Sequence, residues 1–268
     1  MKVLIVSDLH VGSIVGLWPE RHQIEGGGIY EANASQKWLF SCWKKMLAEA
    51  QKLRPVVIIN GDTIQGVHSK DGQIIGATVS AQCSAAFALL EPLSKAASRL
   101  YFIRGTEWHD GKSAQDIEVL AMSLGAVPGP DGQYSRWELY LDIGGAVIHF
   151  THHVGASSVA WYEATVPWRD ALMLLSELSR SFRCDMPGVK MIVRSHRHRF
   201  IHVNTPDMAA LVTPAWQLRT AFVFKKAPAL MPHIGYVVLE WDGKDLIAKP
   251  RLFSAPPPDV ERIVDNGK

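Results

Sequence analysis

The chain has 268 residues, 47% hydrophobic and 20% charged, with a formal net charge of +2. That composition supports an ordinary folded core and excludes both a disordered chain and a polycation that captures nucleic acid by bulk charge alone. Three cysteines far apart, Cys42, Cys83 and Cys184, argue against a disulfide framework or a cysteine zinc site; a reducing, cytoplasmic setting is expected, and no apolar run is long enough for a membrane span.

The first element is a buried strand over Val3 to Val6, which runs into Ser7-Asp8-Leu9-His10. A long loop follows from Gly12 to Ala34. It holds Trp18, Gly26-Gly27-Gly28 and Tyr30, and is expected to be either a lid whose Trp18 and Tyr30 touch substrate or an ordinary flexible surface loop. Apolar spacing through Leu39, Trp43, Met46, Leu47 and Ala50 predicts a helix over Gln36 to Lys52, with Ser35 as its N-cap. Val56 to Ile59 predicts a second strand, ending at Asn60-Gly61-Asp62. A helix over Ala81 to Ala97 leads to a third strand, Leu100 to Ile103, which stops at Arg104-Gly105-Thr106-Glu107. Ser113 with Asp116 predicts a capped helix running to about Leu124. Strands alternating with helices imply a parallel sheet joined by crossovers.

The second half changes character. Tyr134 to Leu141 and Ala146 to Thr151 flank Asp142-Ile143-Gly144-Gly145, a hairpin signal. A helical stretch from about Ser158 is interrupted or restarted near Val166 by Pro167. Met191 to Arg194, Phe200 to Val203, Ala210 to Thr213, Ile234 to Trp241 and Leu246 to Phe253 then read as strands. Two sheets are expected, one fed by each half, within one domain over residues 1–253. Residues 254–268, with three consecutive prolines, are expected to be an extended tail.

Polar groups gather where the strands end, and ligand sites of open α/β sheets lie beyond the C-terminal ends of strands. If Asp8 and His10 continue the strand, alternation puts them on one face. An oxygen and an imidazole side by side suit Zn, Mn or Fe. Asp62 follows the second strand after a glycine, and a carboxylate has two oxygens with which to bridge two cations. His152-His153 and His196-Arg197-His198 each follow an apolar strand. One by one, these residues read as a turn aspartate, a helix cap or surface histidines. Their recurrence at consecutive strand ends points instead to one shared site.

In order, Asp8-x-His10, Gly61-Asp62, Gly105-Thr106-Glu107-Trp108-His109-Asp110, His152 and His196-x-His198 resemble the calcineurin-like metallophosphoesterase family, and the loop with Trp18 and its glycines and the Gly105-Thr106-x-x-His109 segment resemble its phage and prophage branch. The resemblance implies a four-layer α/β/β/α sandwich with two mixed β-sheets. It implies two divalent ions, Mn²⁺ first with Zn²⁺, Fe or Mg²⁺ as alternatives. One would be held by Asp8, His10, Asp62 and His198. The other would be held by Asp62, His152 (with His153 as second choice), His196 and one residue of the third segment. The implied reaction is phosphoester hydrolysis, on a phosphodiester before other esters, by a hydroxide bridging the ions. The sequence departs from the family where Gly-Asn-His is usual. It has no asparagine there, so Glu107, then Thr106 or water, stands in for the missing ligand, and His109 is the candidate catalytic histidine. Ser195 also replaces the usual glycine before the last His-x-His.

The partner is thus a phosphoester substrate, a nucleotide or nucleic acid among the candidates, with no membrane involved. Arg104 or Arg197 could contact phosphate, although a surface arginine is the plainer reading of each. Late basic residues (Arg180, Arg183, Lys190, Arg194, Arg197, Arg199, Arg219, Lys225, Lys226) with Trp161, Trp168 and Trp216 leave a nuclease groove as an alternative. The missing asparagine leaves a catalytically weakened binding module as another.

Overall fold

The computed structural model describes residues 1–67, 72–76, 78–155, 160–180, 188–256 and 260–261. Its elements begin with β1 (Lys2–Val6), then a two-stranded ribbon of β2 (Arg21–Gln23) and β3 (Ile29–Glu31), and α1 (Ala34–Leu53). Next come β4 (Val56–Asn60), α2 (Val79–Ala96), β5 (Arg99–Ile103), the one-turn α3 (Glu107–Asp110), α4 (Gln115–Ser123) and β6 (Ser135–Arg136). The hairpin β7 (Leu139–Ile143) and β8 (Ala146–Phe150) leads to α5 (Thr165–Arg180), β9 (Val189–Arg194), β10 (Ile201–Asn204) and β11 (Ala209–Val212). The described elements close with α6 (Ala221–Lys226), β12 (Ile234–Trp241) and β13 (Leu246–Phe253).

The apolar runs of β1 and β4 are buried on both faces, which is why they show no alternation in sequence. They lie parallel at the centre of a six-stranded sheet in the order β13-β12-β1-β4-β5-β6. The second sheet has the order β10-β11-β9-β8-β7. Both mix parallel and antiparallel pairs. The expectation of one sheet per half is corrected here: β12 and β13, from the end of the chain, join the first sheet by antiparallel pairing of β12 to β1. Tyr134 to Leu141 is likewise not one strand. Ser135–Arg136 pairs with β5 in the first sheet, and Leu139–Ile143 belongs to the second. The hairpin forms as expected, with Gly144 and Gly145 at φ 66° and 96°, values costly for other residues.

Three apolar layers separate four structural layers. Between the sheets lie Val3, Ile5, Ile58 and Ile103 from one side and Leu139, Ile148, Phe150, Met191, Val193 and Leu211 from the other. Outside the first sheet, α1, α2 and α4 bury Leu39, Trp43, Met46, Leu89, Leu93, Ile117 and Leu120. Outside the second, α5 packs through Ala171, Trp168, Leu174 and Leu178 onto Val147, Ile192 and Ala210. This is the α/β/β/α sandwich. Each fully buried large aliphatic stabilises it by roughly 1.5–3 kcal/mol.

Helix starts differ from the sequence reading. Asn33, not Ser35, caps α1: its Oδ1 accepts the Gln36 N–H at 3.0 Å, and Gln36 Oε1 accepts the Asn33 N–H at 3.1 Å. That reciprocal pair satisfies two otherwise unpaired donors. Ser113 does not cap α4, which starts after Ala114 in the left-handed region at φ 47°. In the Gly12–Ala34 loop, Trp18 is fully buried, with its ring edge-on to Tyr30 at 5.7 Å. Trp18 is therefore core rather than a substrate contact, and it anchors the ribbon to the domain. Of the expected tail, residues 257–259 and 262–268 lie outside the described residues. No helix among the described residues is long and apolar enough to cross a membrane.

Candidate metal centre

β1, β4, β8 and β9 all end on one side of the sandwich, and the residues that follow them converge there. Their backbones are stitched together. Asp8 N–H donates to Gly61 O at 3.0 Å, His10 N–H to Asp62 O at 3.1 Å, and Ser195 N–H to His152 O at 2.8 Å. Trp216 N–H donates to Asp8 O at 3.0 Å, and the Trp216 ring packs edge-on against Trp43 at 4.9 Å. The Asp8 loop is thereby tied to the core.

Strand alternation does not place Asp8 and His10; that expectation is corrected. β1 stops at Val6, and both residues adopt left-handed backbone. Among the described residues seven non-glycine residues have positive φ, and five of them are Asp8 (52°), His10 (46°), Asp62 (50°), His196 (69°) and His198 (53°). Each costs roughly 1–2 kcal/mol relative to right-handed backbone. Such strain persists where the surroundings hold it and gathers at functional sites. Ser195 is not among the positive-φ residues, so its side chain is tolerated where the resembled family has glycine.

The side chains meet in two triads. Ligand-capable atoms of Asp8, His10 and His198 lie within 4.8 Å of one another, as do those of Asp62, His152 and His196. A third grouping, His10, Asp62 and His109, overlaps both. His198 Nε2 is 3.3 Å from Asp8 Oδ1 and 3.1 Å from His10 Nε2. His152 Nε2 is 3.1 Å from Asp62 Oδ2, and His196 Nδ1 is 3.8 Å from it. Asp62 Oδ2 is also 4.0 Å from His10 Nε2, so one oxygen is addressed from both triads. His152 is buried, whereas its neighbour His153 is exposed with its ring 5.4 Å away.

The third segment is arranged otherwise than its residue types suggest. Glu107 is exposed on the first turn of α3 and joins none of the groupings. Thr106 lies beside Asp62 instead. Its N–H and hydroxyl both donate to Asp62 Oδ1, at 2.7 and 3.0 Å, while its Oγ1 accepts the His109 N–H as the cap of α3. Two glycines make room for this packing. A Cβ on Gly105 would stand 2.2 Å from Asp62 N and Oδ1, and one on Gly61 (φ 86°) would stand 2.3 Å from His152 Nδ1.

Two histidine tautomers follow from geometry. A carbonyl only accepts, so His152 Nδ1–H donates to Asn60 O at 2.7 Å and His109 Nδ1–H to Gln65 O at 2.7 Å. Each Nε2 is then left to the site. A buried polar chain underlies it: Ser7 Oγ to Thr213 Oγ1 (2.6 Å), Thr213 Oγ1 to Ser195 Oγ (2.7 Å), and Asn60 Nδ2 donating to Ser195 Oγ (2.6 Å). Sequence reading gave Asn60, Ser7, Thr213 and Gln65 no role. The signal was a polar residue closing an apolar strand run, which Asn60 and Thr213 both show.

The electrostatics favour a cation. Burial opposes ionisation of Asp62, yet the facing His152, His196 and His109 hold its carboxyl well below the usual range. Burial likewise opposes Asp8, and His198 and His152 outweigh it, bringing Asp8 to about 2. Burial, then the His109 and His198 rings, holds His10 well below the ordinary imidazole range. Against burial, Asp62 and Asp8 raise His152 to about 10, so ligation there must displace a proton. Asp8 Oδ1, His10 Nδ1 and His152 Nε2 are buried and make no hydrogen bond. Buried polar atoms normally have partners. Two ionised carboxylates among convergent imidazole nitrogens fit divalent ions of the Mn, Fe and Zn type.

No family model matches this chain, and no curated protein matches it. Solved structures do align over most of its length. An archaeal phosphodiesterase aligns with a TM-score of 0.48 at 10% identity, over 94% of this chain and 100% of its own. Zn²⁺-complexed Vps29 of Entamoeba histolytica gives 0.45 at 11% identity, over 94% and 98%. YfcE, a phosphoesterase of E. coli, gives 0.45 at 12% identity, over 90% of each chain. None of these likenesses bears on which atoms meet in the site; the distances above establish that.

The arginines considered as phosphate contacts are engaged elsewhere. Arg104 donates to Ser135 Oγ at 2.9 Å and to Gln133, and lies 3.6 Å from Glu118. Arg197 and Arg199 share Glu163, at 3.7 and 3.1 Å. Arg194 is buried against Asp170 at 2.6 Å, Arg219 stacks on Phe224, and Trp216 is core. Arg183 and the Arg180 side chain lie outside the described residues. Four of the nine late basic residues, Arg194, Arg197, Arg199 and Arg219, are thus held by contacts within the chain.

Proposed function

We propose that this protein is a metal-dependent phosphoester hydrolase acting on a phosphodiester. The observation that carries the reading is the meeting of two triads on one face of Asp62 Oδ2. Asp8, His10 and His198 would hold one divalent ion, and Asp62, His152 and His196 a second, with Asp62 shared. Two such ions supply an activated water and neutralise charge on the phosphate oxygens.

The chain's own groups do the rest. Thr106 pins Asp62 Oδ1, which leaves Oδ2 turned to the triads. Asn60 fixes the His152 ring so that Nε2 faces inward. His109 stands edge-on to His10 at 4.3 Å, with its Nδ1–H already accepted by Gln65 O. Its Nε2 is therefore the nitrogen that faces the site, where it could take a proton from the attacking water and hand it to the leaving oxygen of the substrate. Burial keeps His109 below the ordinary imidazole pKa, so the ring is neutral at rest and does not hold the proton it takes.

The test is hydrolysis of bis-p-nitrophenyl phosphate by protein loaded with Mn²⁺. Turnover should vanish with chelator and return with added ion. No turnover with Mn²⁺, Zn²⁺, Fe²⁺ or Mg²⁺ would overturn the reading.

A further inference from the structure

Beyond the second triad lies a cleft of about 200 Å³, lined by His153, Val154, Val166, Arg169, Asp170 and Met173. It is formed where the segment after β8 faces the first half of α5. His153 is common to cleft and site: its ring is 5.4 Å from His152 and 5.6 Å from His196. The cleft thus opens along the outer edge of the residues proposed to hold the second ion. Its wall is fastened to them as well, since Arg197, between His196 and His198, donates to Gly155 O at 3.0 Å.

The charges in the cleft do not balance. Asp170 is taken by Arg194 at 2.6 Å. Arg169 is exposed and makes no hydrogen bond or ion pair among the described residues, and its Nη2 lies 4.0 Å from where a Gly155 Cβ would stand. A guanidinium that lines one cleft with the exposed imidazole of His153 is a site for an anion, and its forked donors suit phosphate. Val154, Val166 and Met173 offer apolar surface alongside it. The volume is below that of a pocket for a whole drug-sized ligand, so it fits one group of a larger substrate.

We propose that this cleft is a subsite for a second phosphate of the substrate, carried beyond the ester that is cleaved. The substrate class is then a phosphoester bearing a neighbouring phosphate, as in a nucleoside bisphosphate or a short oligonucleotide. The inference rests on the phosphoesterase reading, but its test does not require turnover.

Calorimetric binding of thymidine 3′,5′-bisphosphate and of thymidine 5′-phosphate to the full Mn²⁺-loaded chain measures the contribution of the added phosphate. The bisphosphate should bind about tenfold tighter, the scale of one charge-assisted contact. Arg169→Glu should erase that preference while leaving the monophosphate affinity and the Mn²⁺ content unchanged, and Arg169→Lys should keep part of it. Equal affinities in the unaltered protein, or a preference that survives Arg169→Glu, would overturn the subsite. Absence of hydrolysis of any ester would count against the proposed function and leave the binding ratio readable.

Discussion

Thr106 donates both its N–H and its hydroxyl to a single oxygen of Asp62, at 2.7 and 3.0 Å. One oxygen of the shared carboxylate is thereby locked and the other is left for the cations. Thr106→Val keeps the N–H bond and loses the hydroxyl. Hydrogen bonds to charged groups contribute about 1.5–3 kcal/mol, and the remaining bond puts the expected loss of stability near the lower figure. Supporting bonds of this kind also change metal affinity about 10–100-fold. Denaturant unfolding and Mn²⁺ titration should both move, and Thr106→Ser should restore them. A valine variant identical to the parent in both would deny Thr106 this role.

Glu107 is the contrasting case. It is exposed on α3 and stands in none of the ligand groupings. Glu107→Gln should leave ions per chain unchanged, measured by inductively coupled plasma mass spectrometry. Loss of one ion would instead restore the ligand role expected from its carboxylate.

His109→Ala should abolish ester hydrolysis, lowering kcat by about 10²–10⁴, while ion content stays as in the parent. If the ions leave with the imidazole, His109 is a ligand in the grouping it forms with His10 and Asp62.

Asp110 sets a pH dependence. Burial, then the charge of Asp62, raises its carboxyl from 3.8 to about 7. A group raised on folding contributes stability that is complete below its unfolded value and lost as pH rises through the folded one. In chelator-treated protein, this group makes stability fall between about pH 4 and 7, by up to about 1.4 kcal/mol per unit. His152, raised from 6.5 to about 10, acts in the same direction at higher pH, between those two values. Asp110→Asn should therefore flatten the decline between about pH 4 and 7 and leave the part above pH 7, which belongs to His152. An unaltered slope in urea unfolding between about pH 4 and 7 would show that folding does not raise the Asp110 carboxyl.

Much of this arrangement was legible because β-branched runs stop abruptly at polar residues. Val6, Ile59, Phe150 and Arg194 mark those ends closely, and the histidines and aspartates follow within a few positions. What was not legible has physical causes. Left-handed backbone at Asp8 and His10 is imposed by bonds to Gly61 and Asp62, residues more than fifty positions away, so local alternation was the wrong guide. Residue type favoured Glu107 as a ligand. The start of α3 instead turns Glu107 outward and gives the inner position to its cap, Thr106. The return of β12 to β1 is a pairing across most of the chain and has no local signature. Trp18 looked like loop because its burial depends on packing against the core, not on periodicity.

Ion content of the Asp62→Asn variant addresses the centre most directly. Asp62 belongs to one triad and its Oδ2 lies 4.0 Å from His10 of the other, and its amide keeps the shape while losing the charge. After reconstitution with Mn²⁺ and removal of excess, the unaltered chain should hold two ions and Asp62→Asn fewer than one, with an unchanged far-ultraviolet circular dichroism spectrum. An unaltered chain that retains no ion, or a folded variant that retains both, would contradict the account.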